Sequence, residues 1–198
     1  MKTRRMFNRL AAAGFALVPT LAVADAQQVA VSVVADLPVD RAWSVLSDFS
    51  LPQNYVPNIV RTEIVSGQTS GVGAHRRVYS DEDSYLEETI IEWREGEGFV
   101  IKLHDGDSPM MPFQRAEFSY SIAPQGSDKT RIDLAMIIEM PWGGFGETLG
   151  DWVILPIMED RLVQVAAGMK YFYQTGRPAT DEDRERLAEA VEVLAPGD

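Results

Sequence analysis

Arg76 and Glu88 are the first candidates for chemistry, on two neighbouring strand-like segments, Ala74 to Ser80 and Tyr85 to Trp93. Turned into an apolar interior, an arginine and a glutamate must pair, and the pair can orient a polar group of a ligand. Turned outward, they form an ordinary surface ion pair that contributes little. The strand phase does not choose, because Tyr85, Ile91 and Trp93 make an apolar set of opposite parity to Glu88. Glu88, Arg76 or Tyr120 can do acid–base work on a ligand. No second element completes a catalytic set, so Glu88 and Arg76 stand as weak catalytic candidates only.

Other chemistries are excluded or unsupported. There is no cysteine, which removes disulfides, thiolate metal sites and a cysteine nucleophile. The two histidines, His75 and His104, fall on strands and are expected at their surfaces. They are too few for a metal site, and no nucleophile elbow accompanies them. Gly71 to Gly73 reads as a turn rather than a phosphate loop, because no Lys-Ser/Thr pair follows. No metal and no cofactor is implied. A net charge of −12 argues against nucleic acid, which needs a basic footprint, and against an anionic membrane surface.

Residues 1–26 read as an export signal. Lys2, Arg4, Arg5 and Arg9 form a basic start, and Leu10 to Ala24 is apolar but Ala- and Gly-rich. That run is too short to span a membrane. Thr3-Arg4-Arg5-Met6-Phe7 resembles a twin-arginine signal, and cleavage is expected after Ala24 or Ala26. Cutting after Ala26 removes those four bases and Asp25. The 18 basic and 30 acidic residues become 14 and 29, a net charge of −15. The expected location is periplasmic or secreted. An acidic surface keeps such a domain soluble.

The mature chain of 172 residues suits one domain, since the 198-residue total loses the first 26. Gln28 to Ala35 alternates and is β-branched, a strand. Val39 to Phe49 carries Val39, Ala42, Trp43 and Leu46 at helical spacing, and Leu51 to Pro57 makes a turn or second short helix. Six strand-like segments follow. Phe99, Ile101 and Leu103 share a face, as do Phe118, Tyr120 and Ile122, and then Ile132, Leu134, Met136, Ile138 and Met140. Such a sheet has one dry face and one wet face. A helix from about Ile157 to Tyr173 can cover the dry face with Met158, Leu162, Val165, Ala166, Met169 and Phe172. Gly176 and Pro178 stop it. Residues 179–198 are expected to be a charged helical tail, with Thr180 as its cap and Leu187, Ala190 and Leu194 as a narrow stripe.

This order resembles the SRPBCC superfamily (the START or birch-pollen-allergen fold), in its polyketide cyclase/dehydrase and lipid-transport branch. The resemblance rests on Leu37-Pro38-Val39 running into Ala42 to Phe49, on Tyr55-Val56-Pro57, and on Gly71-Val72-Gly73-Ala74-His75-Arg76. Glu87-Glu88-Thr89-Ile90, Leu149 to Pro156 and Gly168 to Gly176 complete it. It implies an α+β helix-grip domain over residues 27–178: a seven-stranded curved antiparallel sheet around a long C-terminal helix, with two short helices between strands one and two. It also implies that Arg76 and Glu88 occupy positions often turned inward, and that a deep cavity lies between sheet and helix. Members bind lipids, sterols, hormones or polyketides, and a minority are enzymes.

Ligand contacts are then expected from Tyr120, Met136, Met140, Met158, Leu162 and Met169 on sheet and helix, and from Trp142, Phe145 and Trp152 at the mouth. Ordinary packing of the aromatics and core filling by the methionines is the alternative reading of the same residues. The expected function is an exported carrier of a hydrophobic small molecule or lipid, more a binding protein than an enzyme. A polyketide cyclase/dehydratase-like enzyme and an accessory protein of a periplasmic complex are the alternatives, and a protein partner stays open.

Overall fold

The computed structural model describes residues 26–140 and 154–195. Residues 1–25 of the expected export signal (1–26), and Trp142, Phe145 and Trp152, expected at the cavity mouth, lie outside the described residues. From the N-terminus come β1 (Ala26–Ala35), α1 (Val39–Leu46), a 3-10 turn (Pro52–Asn54), β2 (Arg61–Ile64), β3 (His75–Tyr79) and β4 (Tyr85–Arg94). Then follow β5 (Gly98–Asp105), β6 (Ser108–Pro109), β7 (Arg115–Pro124), β8 (Thr130–Glu139), α2 (Leu155–Thr175), α3 (Asp181–Ala188) and β9 (Val191–Leu194). The strands form one antiparallel sheet in the order β2-β3-β4-β5-β7-β8-β1-β9, with β6 appended to β5.

Alternation makes the concave face. Val29, Val31 and Val33 of β1, Phe99 and Ile101 of β5, Phe118 and Ile122 of β7, and Ile132, Leu134 and Ile138 of β8 are all buried. Burying such side chains contributes about 1.5–3 kcal/mol each relative to exposure. On α2, Leu162, Val165, Ala166 and Met169 face this layer. The helix starts with Pro156 in its first turn and ends at Gly176, which adopts φ 69° and donates its N–H to the Phe172 carbonyl at 2.7 Å.

α2 packs chiefly on β1 and α3. Its far end is tied to β1 by Lys170 Nζ, which donates to the Val34 carbonyl. Gly168 lies directly under the 3-10 turn, where a Cβ would overlap the Tyr55 carbonyl oxygen. The helix is thus held against one side of the sheet, and a cavity remains between its first turns and β3, β4, β5, β7 and β8.

Three expectations need correction. The described residues hold nine strands, not seven, because β6 and β9 were not foreseen. The tail is not one helix: α3 ends at Ala188, and Val191–Leu194 pairs with β1, Val33 opposite Val191 and Ala30 opposite Leu194. The free edge of β1 offers unpaired backbone groups, and the alternating Val-Glu-Val-Leu satisfies them. Thr180 does cap α3, in a reciprocal box with Asp183. Lastly, His104 is buried rather than at a strand surface.

Candidate functional site

A bulge in β4 decides which way its side chains point. Pairing with β5 runs in register through Ile90 and resumes at Glu92, so Ile91 is the extra residue. Glu88 and Ile90 before the bulge therefore share the concave face with Trp93 after it. Trp93 stacks on Phe99 at 5.6 Å between ring centroids. The parity conflict in the sequence is the trace of this bulge.

Arg76 on β3 sits directly opposite Glu88 on β4. Both turn inward and are buried, Arg76 being only 1% exposed. Arg76 Nε and Nη2 both reach Glu88 Oε2 at 2.5 Å, and Nη1 donates to the Phe49 carbonyl at 2.8 Å. Burial disfavours the Arg76 cation, but the Glu88 carboxylate outweighs it together with the neighbouring phenols, and the Arg76 pKa stands above its ordinary value. Burial pushes the Tyr120 phenol well up, and that of Tyr55 up as well; the nearby Arg76 charge opposes both shifts. Both phenols are therefore neutral donors at physiological pH.

The cavity between sheet and helix has a volume of about 430 Å³. Its walls are mainly apolar: Leu86, Ile101, Leu103, Phe118 and Met136 from the sheet, with Met158, Leu162 and Val165 from α2. Glu88 and Tyr120 interrupt the apolar wall, while exposed Ser84, Tyr85 and Arg161 mark the mouth. Such a space suits a hydrophobic molecule and offers polar groups inside and at the mouth to orient it.

Of the ligand contacts expected from the sequence, Tyr120, Met136, Met158 and Leu162 lie on this wall. Met140 and Met169 do not; they are buried in the core. Met169 falls where α2 lies close to β1, and Met140 stands one residue past the end of β8. Arg161 was missed. It is three residues from Met158 and four from Val165, so helical spacing already put it at the edge of the apolar stripe. Phe118, a face-mate of Tyr120, lines the cavity as well.

The histidines take no part in the cavity. On the convex face, His104 Nδ1 lies 2.8 Å from the Gly106 carbonyl, so it carries the proton there. Nε2 then accepts from the Thr89 hydroxyl at 2.8 Å. Glu87 lies between the two rings, 3.8 Å from His75 Nε2 and 3.7 Å from His104 Nδ1. Among the described residues, no three His, Asp or Glu side chains converge as metal ligands.

A curved antiparallel sheet gripping a long helix over an apolar cavity defines the helix-grip class of the SRPBCC superfamily. The model of the polyketide cyclase/dehydrase and lipid transport family matches residues 26–170, and the chain belongs to that family. A search of curated proteins finds no match. Among solved structures the chain is similar to Ara h 8.0201, with 14% identity and a TM-score of 0.57 over 75% of this chain and 97% of that one. It is similar to the Zhui aromatase/cyclase from Streptomyces sp. R1128, with 14% identity and a TM-score of 0.58 over 75% and 93%. A START superfamily protein from Mycobacterium smegmatis aligns with 18% identity and a TM-score of 0.52 over 73% and 94%. At these identities the likeness is one of fold.

Proposed function

We propose that this protein is an exported carrier that binds a hydrophobic small molecule or lipid between sheet and α2. The observation that carries the reading is the apolar cavity of about 430 Å³ with Glu88 and Tyr120 on its wall. Apolar burial supplies the affinity, at roughly 25 cal/mol per Å² before ordering costs. A hydroxyl on the ligand can donate to Glu88 or accept from Tyr120, which sets the ligand's direction. Export rests on the twin-arginine-like start; it predicts that a reporter fused to residues 1–26 will reach the periplasm and that changing both Arg4 and Arg5 to Lys will stop it.

Native mass spectrometry of protein purified from its host's periplasm, with organic extraction, tests the binding. A stoichiometric lipid, isoprenoid or aromatic adduct establishes the carrier. A clean apo mass, repeated at high yield and low detergent, sinks it.

One observation favours a second reading, a cyclase/dehydratase-like enzyme: a carboxylate, Glu88, stands on the cavity wall beside a phenol. Held by Arg76, the Glu88 carboxylate can accept a hydrogen bond from a substrate hydroxyl. Turnover of a polyketide-like substrate that vanishes in Glu88→Gln would favour the enzyme.

A further inference from the structure

The cavity has opposite electrostatic character at its two polar places. Inside, Glu88 presents a carboxylate whose single cationic partner, Arg76, is already bonded to it and to Phe49. An anion there would meet like charge in a poorly screened setting. At the mouth, Arg161 is the one cationic side chain among the lining residues. It is exposed, its Nη2 donates to the Pro57 carbonyl at 3.1 Å, and among the described residues no carboxylate pairs with it. In a chain of net charge −12, most arginines on the sheet do have such partners, Arg61, Arg77, Arg115 and Arg131 among them.

A second arginine reinforces the first. Arg184 of α3 is only 6% exposed. It pairs with Asp181 through Nη1 at 2.9 Å, yet its buried Nε has no partner. Burial and then the neighbouring Arg161 charge oppose Asp181, leaving the Arg184 pKa below the ordinary arginine value. The two guanidinium groups thus sense each other, and an anion beside Arg161 would relieve that repulsion.

We propose that the ligand is an anionic amphiphile whose carboxylate or phosphate head is held by Arg161 at the cavity mouth, with its apolar chain directed inward toward Glu88. This rests on the carrier reading above and adds the head group and the direction of entry. Arginine suits either head, because its planar fork matches both geometries. A hydroxyl far along the chain would meet Glu88.

The test compares palmitate, hexadecyl phosphate and hexadecanol, matched in chain and differing in head, by calorimetric titration of the purified protein. Wild type binds both anions about tenfold more tightly than the alcohol at low salt, as one charge-assisted contact allows. The preference narrows as salt is raised. Arg161→Gln loses the preference, its affinity falling about tenfold further for the two anions than for hexadecanol, and Arg161→Lys keeps part of it. Equal binding of acid and alcohol by wild type overturns the head-group assignment and leaves the carrier reading standing. So does an Arg161→Gln change that weakens all three probes equally. Binding of none of the three overturns the head-group assignment, and the native mass spectrum then decides the carrier reading separately.

Discussion

The Arg76 guanidinium lies 3.7 Å from the centre of the Phe49 ring and donates to the carbonyl of the same residue. One buried cation thereby joins the segment after α1 to β3 and, through Glu88, to β4. Removing it strands a buried carboxylate and a buried carbonyl. Arg76→Met should cost about 3–5 kcal/mol, as breaking a buried pair usually does. Arg76→Met with Glu88→Leu should recover most of that loss. Urea denaturation of the two variants is the check; equal losses would mean the pair is not coupled.

Gly168 allows α2 to touch the backbone of the 3-10 turn at Tyr55. Gly168→Ala places a methyl group against a carbonyl oxygen, and backbone cannot yield cheaply. Overpacking of this kind costs roughly 1–3 kcal/mol. At about 2–4 °C per kcal/mol for a chain of this size, the fall in Tm is easily read by calorimetry. An unchanged Tm would show that helix and turn can separate freely.

β9 closes the edge of β1 with four residues. Truncation after Ala190 should lower Tm and expose that edge to pairing between copies. Light scattering on heating should then rise with protein concentration, and adding Val191–Leu194 back should reverse it. A truncated chain that stays monomeric with full stability would show that β9 guards nothing.

The convex-face cluster predicts a pH dependence. Burial lowers the His75 pKa, with the neighbouring His104 and Arg77 acting the same way and Glu87 opposing them. The unfolded state, with a histidine near 6.5, therefore takes up the proton first, and stability falls as pH drops through that range. Burial disfavours the Glu87 carboxylate, but the Arg77 and Gly106 donors outweigh it and hold its pKa below the ordinary glutamate value. Its contribution is present above the unfolded glutamate pKa and is lost only at lower pH, as the folded pKa is crossed. Between about pH 7.5 and 5.5 the Tm of wild type should fall more than that of His75→Asn. Parallel curves would remove His75 as the cause.

Local pattern alone determined much of this protein. The alternation of Phe99 to Leu103, Phe118 to Ile122 and Ile132 to Ile138 specified the dry face, because successive side chains of a strand point to opposite sides. The spacing of Leu162, Val165, Ala166 and Met169 specified the helix face that covers it. Thr180 with Asp183 specified the start of α3. The tertiary structure decided what depends on neighbours distant in sequence. Glu88 shares the inward face with Trp93 despite their opposite parity because Ile91 is bulged, and a one-residue shift exchanges the faces of a strand. Val191–Leu194 became a strand rather than more helix because β1 had an open edge to pair with. His104 is buried because the Gly106 backbone folds back over the convex face to bond its ring and Glu87. Whether a methionine meets ligand or core depended on how far α2 stands from the sheet: Met158 lies where the gap is open and Met169 where it is closed. That distance is set by Lys170, Gly168 and their partners on other segments, and periodicity within one segment carries no measure of it.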